Sequence, residues 1–384
     1  MSPDLGTTRK ILRSLRWLPS YAWQRLVRRP AQVSLPHFII AVANHFEPAF
    51  SLQPCDARVS LREQIARVQQ WYRDYRAKLG QWRDSDGRPL RHTYFYPAED
   101  CDTRIISEMA DHCHAGWGEI EVHLHHGVRT PDTAENTRRA LIEFRNVLVA
   151  HGCLSRWENG GPPRYGFVHG NWALANSMDG QFCGVDDEIQ ILAETGCYAD
   201  FTLPSAPERA QVRKINALYE CALPLTQRSA HSQGRELTCG ITPRTFPLMI
   251  QGPLMVDFKR QIGGRRSPCI ENGALTSVRP PSPERLSLWR EAGITVKGRP
   301  EWIFVKLYCH GMDSRDREGL LGRPMQDFLE FLTGHIRTTG EYGVHFVTAR
   351  EMVNIALAAC DGQSGNPGEY RDYRLRLITP NRLA

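Results

Sequence analysis

From Pro36 onward the chain alternates short apolar runs with longer segments of helical period. Residues 37–43 (HFIIAVA) are almost all apolar, the pattern of a strand buried on both faces, as in a parallel sheet. Residues 60–79 then set Ile65, Val68, Trp71 and Tyr72 on one helical face, with Ser60 as N-cap, Glu63 three residues on and Gly80 past the end. The unit recurs. A strand at 93–96 precedes a helix near 103–114, and a strand at 119–125 precedes a helix at about 133–151. A strand at 165–169 precedes a helix at 186–195 that Gly196 stops, and 198–203 forms another strand. Over 206–298 the pattern blurs, and only short apolar runs at 246–250 and 254–258 stand out. Residues 302–308 (WIFVKLY) are a clear strand, a helix lies near 325–338, and a last strand–helix pair runs from Gly343 to Cys360. DGQSGNPG at 361–368 has linker composition, and the tail beyond it is expected to be a surface strap.

This alternation predicts an α/β fold with a parallel sheet, open or closed. About seven such units in roughly 325 residues fit one distorted (β/α)7–8 barrel better than two domains. The expected organisation is a basic amphipathic segment (1–35), a barrel (36–360) with a loop-rich insertion at about 206–298, and a C-terminal tail (361–384). Informative polar residues gather where strands end: His45 and Glu47, Glu99 and Asp100, His123 to His126, His169 and His310. In α/β barrels that edge carries the active site.

EIEVHLHHG at 119–127 is the richest stretch. Ile120, Val122 and Leu124 share one strand face, Glu121, His123 and His125 the other, and His126 and Gly127 end the run. Three histidines and a carboxylate within six residues are the composition of a transition-metal site, Zn2+ foremost, with Ni2+ or Co2+ as other occupants. His123 and His125 are the expected ligands with His45. His126 is the alternative to His125 if the strand twists, or else a substrate contact. Glu121, deeper on the face, is expected to hold an imidazole N–H. Glu47, two residues after His45, is available as base or as ligand. Gly170 after His169 allows close approach of a ligand, and Trp172 offers a face for stacking on a sugar. Glu99 and Asn171 complete the expected substrate contacts. His310 is the expected proton donor. Asp186, Asp187 and Glu188 are explained as first-turn acids facing a helix dipole. His112 and His114 are expected at the surface, and His231 in a loop.

Composition changes the picture in two places. At 41% hydrophobic and 23% charged residues, the 384-residue chain is that of a soluble globular protein, without an apolar run of transmembrane length or a secretory signal. Eleven cysteines, an odd number without a CxxC pair, predict reduced thiols in a cytoplasmic compartment rather than disulfides or cysteine metal sites. The net charge of +6 arises within residues 1–30, so the body is neutral and lacks the basic stripe of a nucleic-acid binder. Residues 9–29 combine arginines, helically spaced leucines and Trp17, Tyr21 and Trp23. That pattern predicts contact with an anionic membrane surface, as a peripheral protein on the inner membrane face, the alternative being a helix packed on the body with its arginines solvated.

The succession VANHFEP, EIEVHLHHG, YGFVHGNWALANS, GCYADFTLPSAP and FVKLYCHG resembles divergent bacterial polysaccharide deacetylases (carbohydrate esterase family 4, in the glycoside hydrolase/deacetylase superfamily), over roughly 36–360. In orthodox members the first strand ends in an Asp-Asp pair, base and metal ligand. Two histidines four apart follow, and a late Leu-x-His supplies the acid. Here Asn44-His45-Phe46-Glu47 stands at the aspartates, His123, His125 and His126 at the histidine pair, and Tyr308-Cys309-His310, after Leu307, near the last motif. The resemblance implies a deacetylase-type barrel and metal-assisted removal of an N-acyl (acetyl) group from an amino sugar in a polysaccharide or lipid-linked glycan precursor. Glu47, His310 and His169 would form the catalytic group. The alternatives are a glycoside hydrolase using Glu47 with Glu99 or Asp100, and a non-catalytic carbohydrate-binding protein.

Overall fold

The computed structural model describes residues 16–28, 33, 35–52, 58–262 and 264–378. At its centre lies β1 (His37–His45), buried along almost its whole length. Phe38, Ile40 and Val42 turn to one hydrophobic cluster, and Ile39, Ala41 and Ala43 to a second with Phe95, Val168, Tyr198 and Phe304. A strand buried on both faces needs partners at both edges, because water cannot satisfy its peptide groups. β14 (Trp302–Cys309) lies along one edge. The other edge is shared by β15 (Gly343–Val347) and β2 (His92–Pro97), all three pairings being parallel.

From β2 the parallel order continues through β3 (Gly118–Leu124), β5 (Gly160–His169), β6 (Cys197–Asp200) and β9 (Leu248–Ile250). β7 (Leu218–Cys221) and β8 (Gly234–Glu236) add antiparallel, and β4 (Ser155–Trp157) pairs antiparallel with both β5 and β16 (Leu375–Leu377). Together these twelve strands form one mostly parallel sheet. The expected barrel closure is not seen. The ladder runs from β14 to β8 as an open sheet, and no closed barrel is identified among the described residues. Part of the reason lies at the outer edge of β14, where Leu275 N donates to Tyr308 O (2.8 Å) and Tyr308 N to Gly273 O (3.0 Å), so a loop takes groups that a closing strand would need.

The helices are α1 (Leu18–Val27), α2 (Leu61–Leu79), α3 (Thr103–His112), α4 (Ala134–Ala150), α5 (Glu188–Thr195), α6 (Pro283–Ala292), α7 (Arg317–Leu321), α8 (Arg323–Thr338) and α9 (Ala349–Cys360). Ser60 caps α2 as expected, its Oγ accepting from Glu63 N, and at α4 the cap is Thr133, whose Oγ1 accepts from Asn136 N. The blurred stretch 206–298 contains β7, β8, β9, α6 and two small antiparallel pairs, β10 (Met255–Asp257) with β13 (Cys269–Glu271) and β11 (Gln261–Ile262) with β12 (Arg265–Arg266). The tail is tied down. Arg371 is buried and reaches Asp84 Oδ2 and Asp86 Oδ2, both at 2.8 Å, and Phe346 O at 2.6 Å.

Only part of the predicted amphipathic segment is described, since residues 9–15 and Arg29 lie outside the described residues. α1 docks on the body: Trp17 is fully buried with Ala206, Ile215 and Leu254, while Gln24 Nε2 and an Arg28 guanidinium nitrogen donate to Ile215 O and Asn216 O, each at 2.8 Å. Its outer face shows Trp23, Leu26 and Val27 to solvent. No described helix is long and apolar enough to cross a membrane. His112, expected at the surface, is buried instead, because it sits on the inner face of α3. Its ring stacks on Tyr72 at 3.7 Å and its Nε2 meets Tyr94 OH at 3.0 Å.

Candidate metal centre

Parallel neighbours end on the same side, so β1, β2, β3 and β14 release their next residues along one edge, the mouth of the sheet. β1 delivers His45 and then Glu47, β3 delivers His123 and then His125, β14 is followed by His310, and Glu99 comes just after β2. Most of these side chains meet. The His45 ring lies 5.0 Å from that of His123 and 4.7 Å from that of His310, and the His123 and His125 rings are 4.4 Å apart. Two triplets of donor atoms are close enough to share an ion, Glu47 with His123 and His125, and His45 with Glu47 and His310. Glu47 belongs to both.

Hydrogen bonds behind the rings distinguish the triplets. His123 Nδ1 lies 2.7 Å from Val168 O, an acceptor only, which assigns the ring proton to Nδ1. Its Nε2 is then a bare lone pair, buried without a hydrogen-bond partner and 3.4 Å from Glu47 Oε1. His125 Nδ1 lies 2.6 Å from Glu99 Oε1, and its backbone N donates to Glu99 Oε2 at 3.2 Å. Two imidazoles with Nδ1 engaged and Nε2 free, beside one carboxylate, form a donor set that could hold a metal ion. A buried nitrogen with nothing on its lone pair is costly unless something fills it.

Several expected contacts take other roles. Both Glu99 oxygens serve His125, so the residue expected to touch substrate positions a ring. Glu121 holds no imidazole: it accepts from Tyr198 OH and from Gly166 N at 2.6 Å. Gly170 does permit a close approach, by His125, whose ring Cδ2 would lie 2.3 Å from an added Cβ. Asn171 is exposed, and Trp172 packs half-buried against both hydrophobic clusters.

The charge balance follows from burial. Burial drives the His45 pKa well below the usual imidazole value, and neighbouring His310, His123 and Lys306 push it further. Burial lowers His310 too, against the pull of Glu47. Burial opposes ionisation of Glu47, yet His123, His125 and His310 hold its pKa at about 2. Beneath the mouth, burial brings Lys306 down to about 7 and Asp200 up to about 7, each partly countered by the other's charge. The Lys306 Nζ donates to Phe201 O at 2.8 Å.

A second, buried cluster on the α5 side of the sheet draws in His126 and His169. His126 Nε2 is 2.9 Å from His169 Nε2 and 3.0 Å from Glu188 Oε1, while His169 Nε2 and Glu188 Oε1 are 3.4 Å apart. Cys183 Sγ lies 3.5 Å from Glu188 Oε2. All four residues are buried and could share one ion. Successive side chains of an extended chain point to opposite sides, so His125 continues with His123 to the mouth while His126, two residues past the end of β3, turns the other way. His126, expected at the mouth as ligand or substrate contact, and His169, expected among its catalytic residues, therefore join this inner group. Glu188 is first in α5 as expected, but its carboxylate turns inward instead of merely facing the helix dipole. Cys183 shows that a cysteine does stand among the metal-capable donors. His231, expected in a loop, sits in a short 3-10 helix (Ala230–Ser232) and is fully buried, with neither ring nitrogen partnered. No protein-family model matches this chain, and no curated protein sequence matches it either.

Proposed function

We propose that the protein is a metal-dependent hydrolase that removes an N-acyl group, acetyl foremost, from an amino sugar of a polysaccharide or lipid-linked glycan. The observation that carries this reading is the bare, buried Nε2 of His123 beside Glu47. Glu47, His123 and His125 would hold the ion, with Val168 O and Glu99 fixing the two rings from behind. A divalent ion there, zinc by donor type, would polarise the amide carbonyl and make water more acidic. This assigns Glu47 to the ligands and moves His45 from the expected ligand set to the proton-transfer side. His45 takes a proton from the attacking water as its oxygen bonds to the carbonyl carbon. The proton taken by His45 passes to His310, whose ring lies 4.7 Å from its own, and from there to the amine as the C–N bond breaks. The open sheet then corresponds to an incompletely closed version of the deacetylase barrel.

The exposed Trp23, Leu26 and Val27 on α1 support a substrate presented at an anionic, cytoplasmic membrane surface. A glycoside hydrolase is the second reading, favoured by Asp100, whose carboxyl burial and Glu99 push up to about 6, as a general acid requires. Elemental analysis of the wild type and of a His123→Ala/His125→Ala variant tests the metal. Loss of about one equivalent in the variant supports the site as drawn. Equal metal content in both proteins contradicts it.

A further inference from the structure

We infer that His126, His169, Glu188 and Cys183 form a second, structural metal site, buried between the sheet and the start of α5. Three donor atoms already converge: His126 Nε2, His169 Nε2 and Glu188 Oε1 form a triangle with sides of 2.9, 3.0 and 3.4 Å. Such a triangle has a circumradius of about 1.8 Å, so an ion at the ~2.0–2.1 Å of zinc–imidazole and zinc–carboxylate bonds sits just above its plane. Cys183 Sγ, within 4.8 Å of the other three donor atoms, supplies the fourth position.

The surroundings aim these donors. His126 Nδ1 lies 2.9 Å from Asp132 Oδ2, and His169 Nδ1 is engaged by Gly170 O, so each ring offers Nε2. Glu188 Oε2 accepts from Ala175 N at 2.6 Å, and Cys183 O from Asp132 N at 2.7 Å. Gly127 has φ +61, and an added Cβ would lie 2.1 Å from Cys183 O, so glycine lets the backbone of Cys183 come up against the exit of β3. A dication balances one carboxylate and one thiolate. With all four positions taken by protein there is no place for a reacting water, which marks the site as structural.

Such an ion would clamp the exits of β3 and β5 to the start of α5 and to the loop between them. That loop holds six non-glycine residues with left-handed φ, Asn171, Trp172, Ala175, Asn176, Asp179 and Phe182, a strained path that persists only when fixed from outside. His125 is the chain neighbour of His126, and Gly170 follows His169, so the clamp also sets the stage for the mouth. Without an ion, the same distances would require His126 to stay a buried imidazolium between Asp132 and Glu188.

Cobalt substitution of the full chain separates these states, because thiolate ligation gives a near-ultraviolet charge-transfer band and the mouth triplets contain no cysteine. The band is expected in the wild type and in the His123→Ala/His125→Ala variant, and absent from Cys183→Ser. Zinc content should be about two equivalents in the wild type and about one in the mouth variant. Absence of the band from the wild type overturns the inference, as does its survival in Cys183→Ser. Should Cys183→Ser not fold, the comparison of wild type and mouth variant still decides: a band in both supports the site, and no band in the mouth variant overturns it.

Discussion

His125 and His126 are adjacent in the chain, yet their imidazoles enter different clusters. His125 turns to the mouth, where Glu99 holds its Nδ1 at 2.6 Å, and His126 turns inward to His169 and Glu188. This is the alternation of an extended chain, carried just past the end of β3 at Leu124. One strand exit thus supplies two candidate metal centres, one open to solvent and one sealed.

Glu99 acts through His125, so Glu99→Ala should weaken metal binding at the mouth about 10- to 100-fold and leave the inner site loaded. Competition with a chromophoric chelator measures this. Unchanged affinity, or loss of the inner ion instead, would show that Glu99 does not orient a ligand.

Arg371 lies against three carboxylates, those of Asp84, Asp86 and Glu351. Replacing it with leucine leaves Asp84 and Asp86 without their guanidinium partner, and the cost of such an uncompensated buried charge is about 3–5 kcal/mol. Equilibrium urea unfolding of Arg371→Leu should show a correspondingly lower midpoint. A midpoint within error of the wild type would mean that the tail contributes little.

Acid should loosen the same strap. Burial opposes ionisation of Asp86, but hydrogen bonds from His345, Asn366 and Arg371 hold its pKa well below the ordinary carboxylate value. A depressed carboxylate stabilises the fold above its unfolded pKa, near 3.9, and loses that contribution as pH falls below it. The stability gap between wild type and Asp86→Asn should therefore be constant near neutrality and narrow below about pH 4. A gap that widens on acidification reverses the sign and rejects the assignment.

The outer face of α1 predicts surface binding. Trp23→Ser/Leu26→Ser removes exposed apolar groups without touching Trp17, which anchors the helix. Binding to anionic vesicles should fall at least tenfold, roughly the loss of 1.4 kcal/mol or more of apolar contact, while folding is unchanged. Wild-type protein that ignores such vesicles would remove the membrane from the account.

How far the sequence could be read depends on the range of the interactions. β1, α2, β2, α3, β3 and α4 follow from local period and caps, and Ser60 caps as its position predicts. The meeting of His45, Glu47, His123, His125 and His310 at one edge follows from parallel strands ending together. The inner cluster was not legible, because Cys183 resembles a core thiol and Glu188 a first-turn acid. Only a loop with six left-handed residues, which no local pattern announces, brings them to His126 and His169. Sheet closure was likewise hidden, since it depends on a loop pairing with Tyr308. Lys306 is a missed signal of another kind: a lysine inside WIFVKLY is visible in the sequence, and it lies buried beneath the mouth.

The central claim, metal-dependent amide hydrolysis at the mouth, is tested most directly by product analysis. Zinc-loaded protein would be incubated with N-acetylated amino-sugar oligosaccharides, and acetate and new reducing ends measured together. Acetate and free amine are expected with chain length unchanged, and both are lost on chelation and in His123→Ala/His125→Ala. New reducing ends without acetate, or acetate release that survives both treatments, would contradict it.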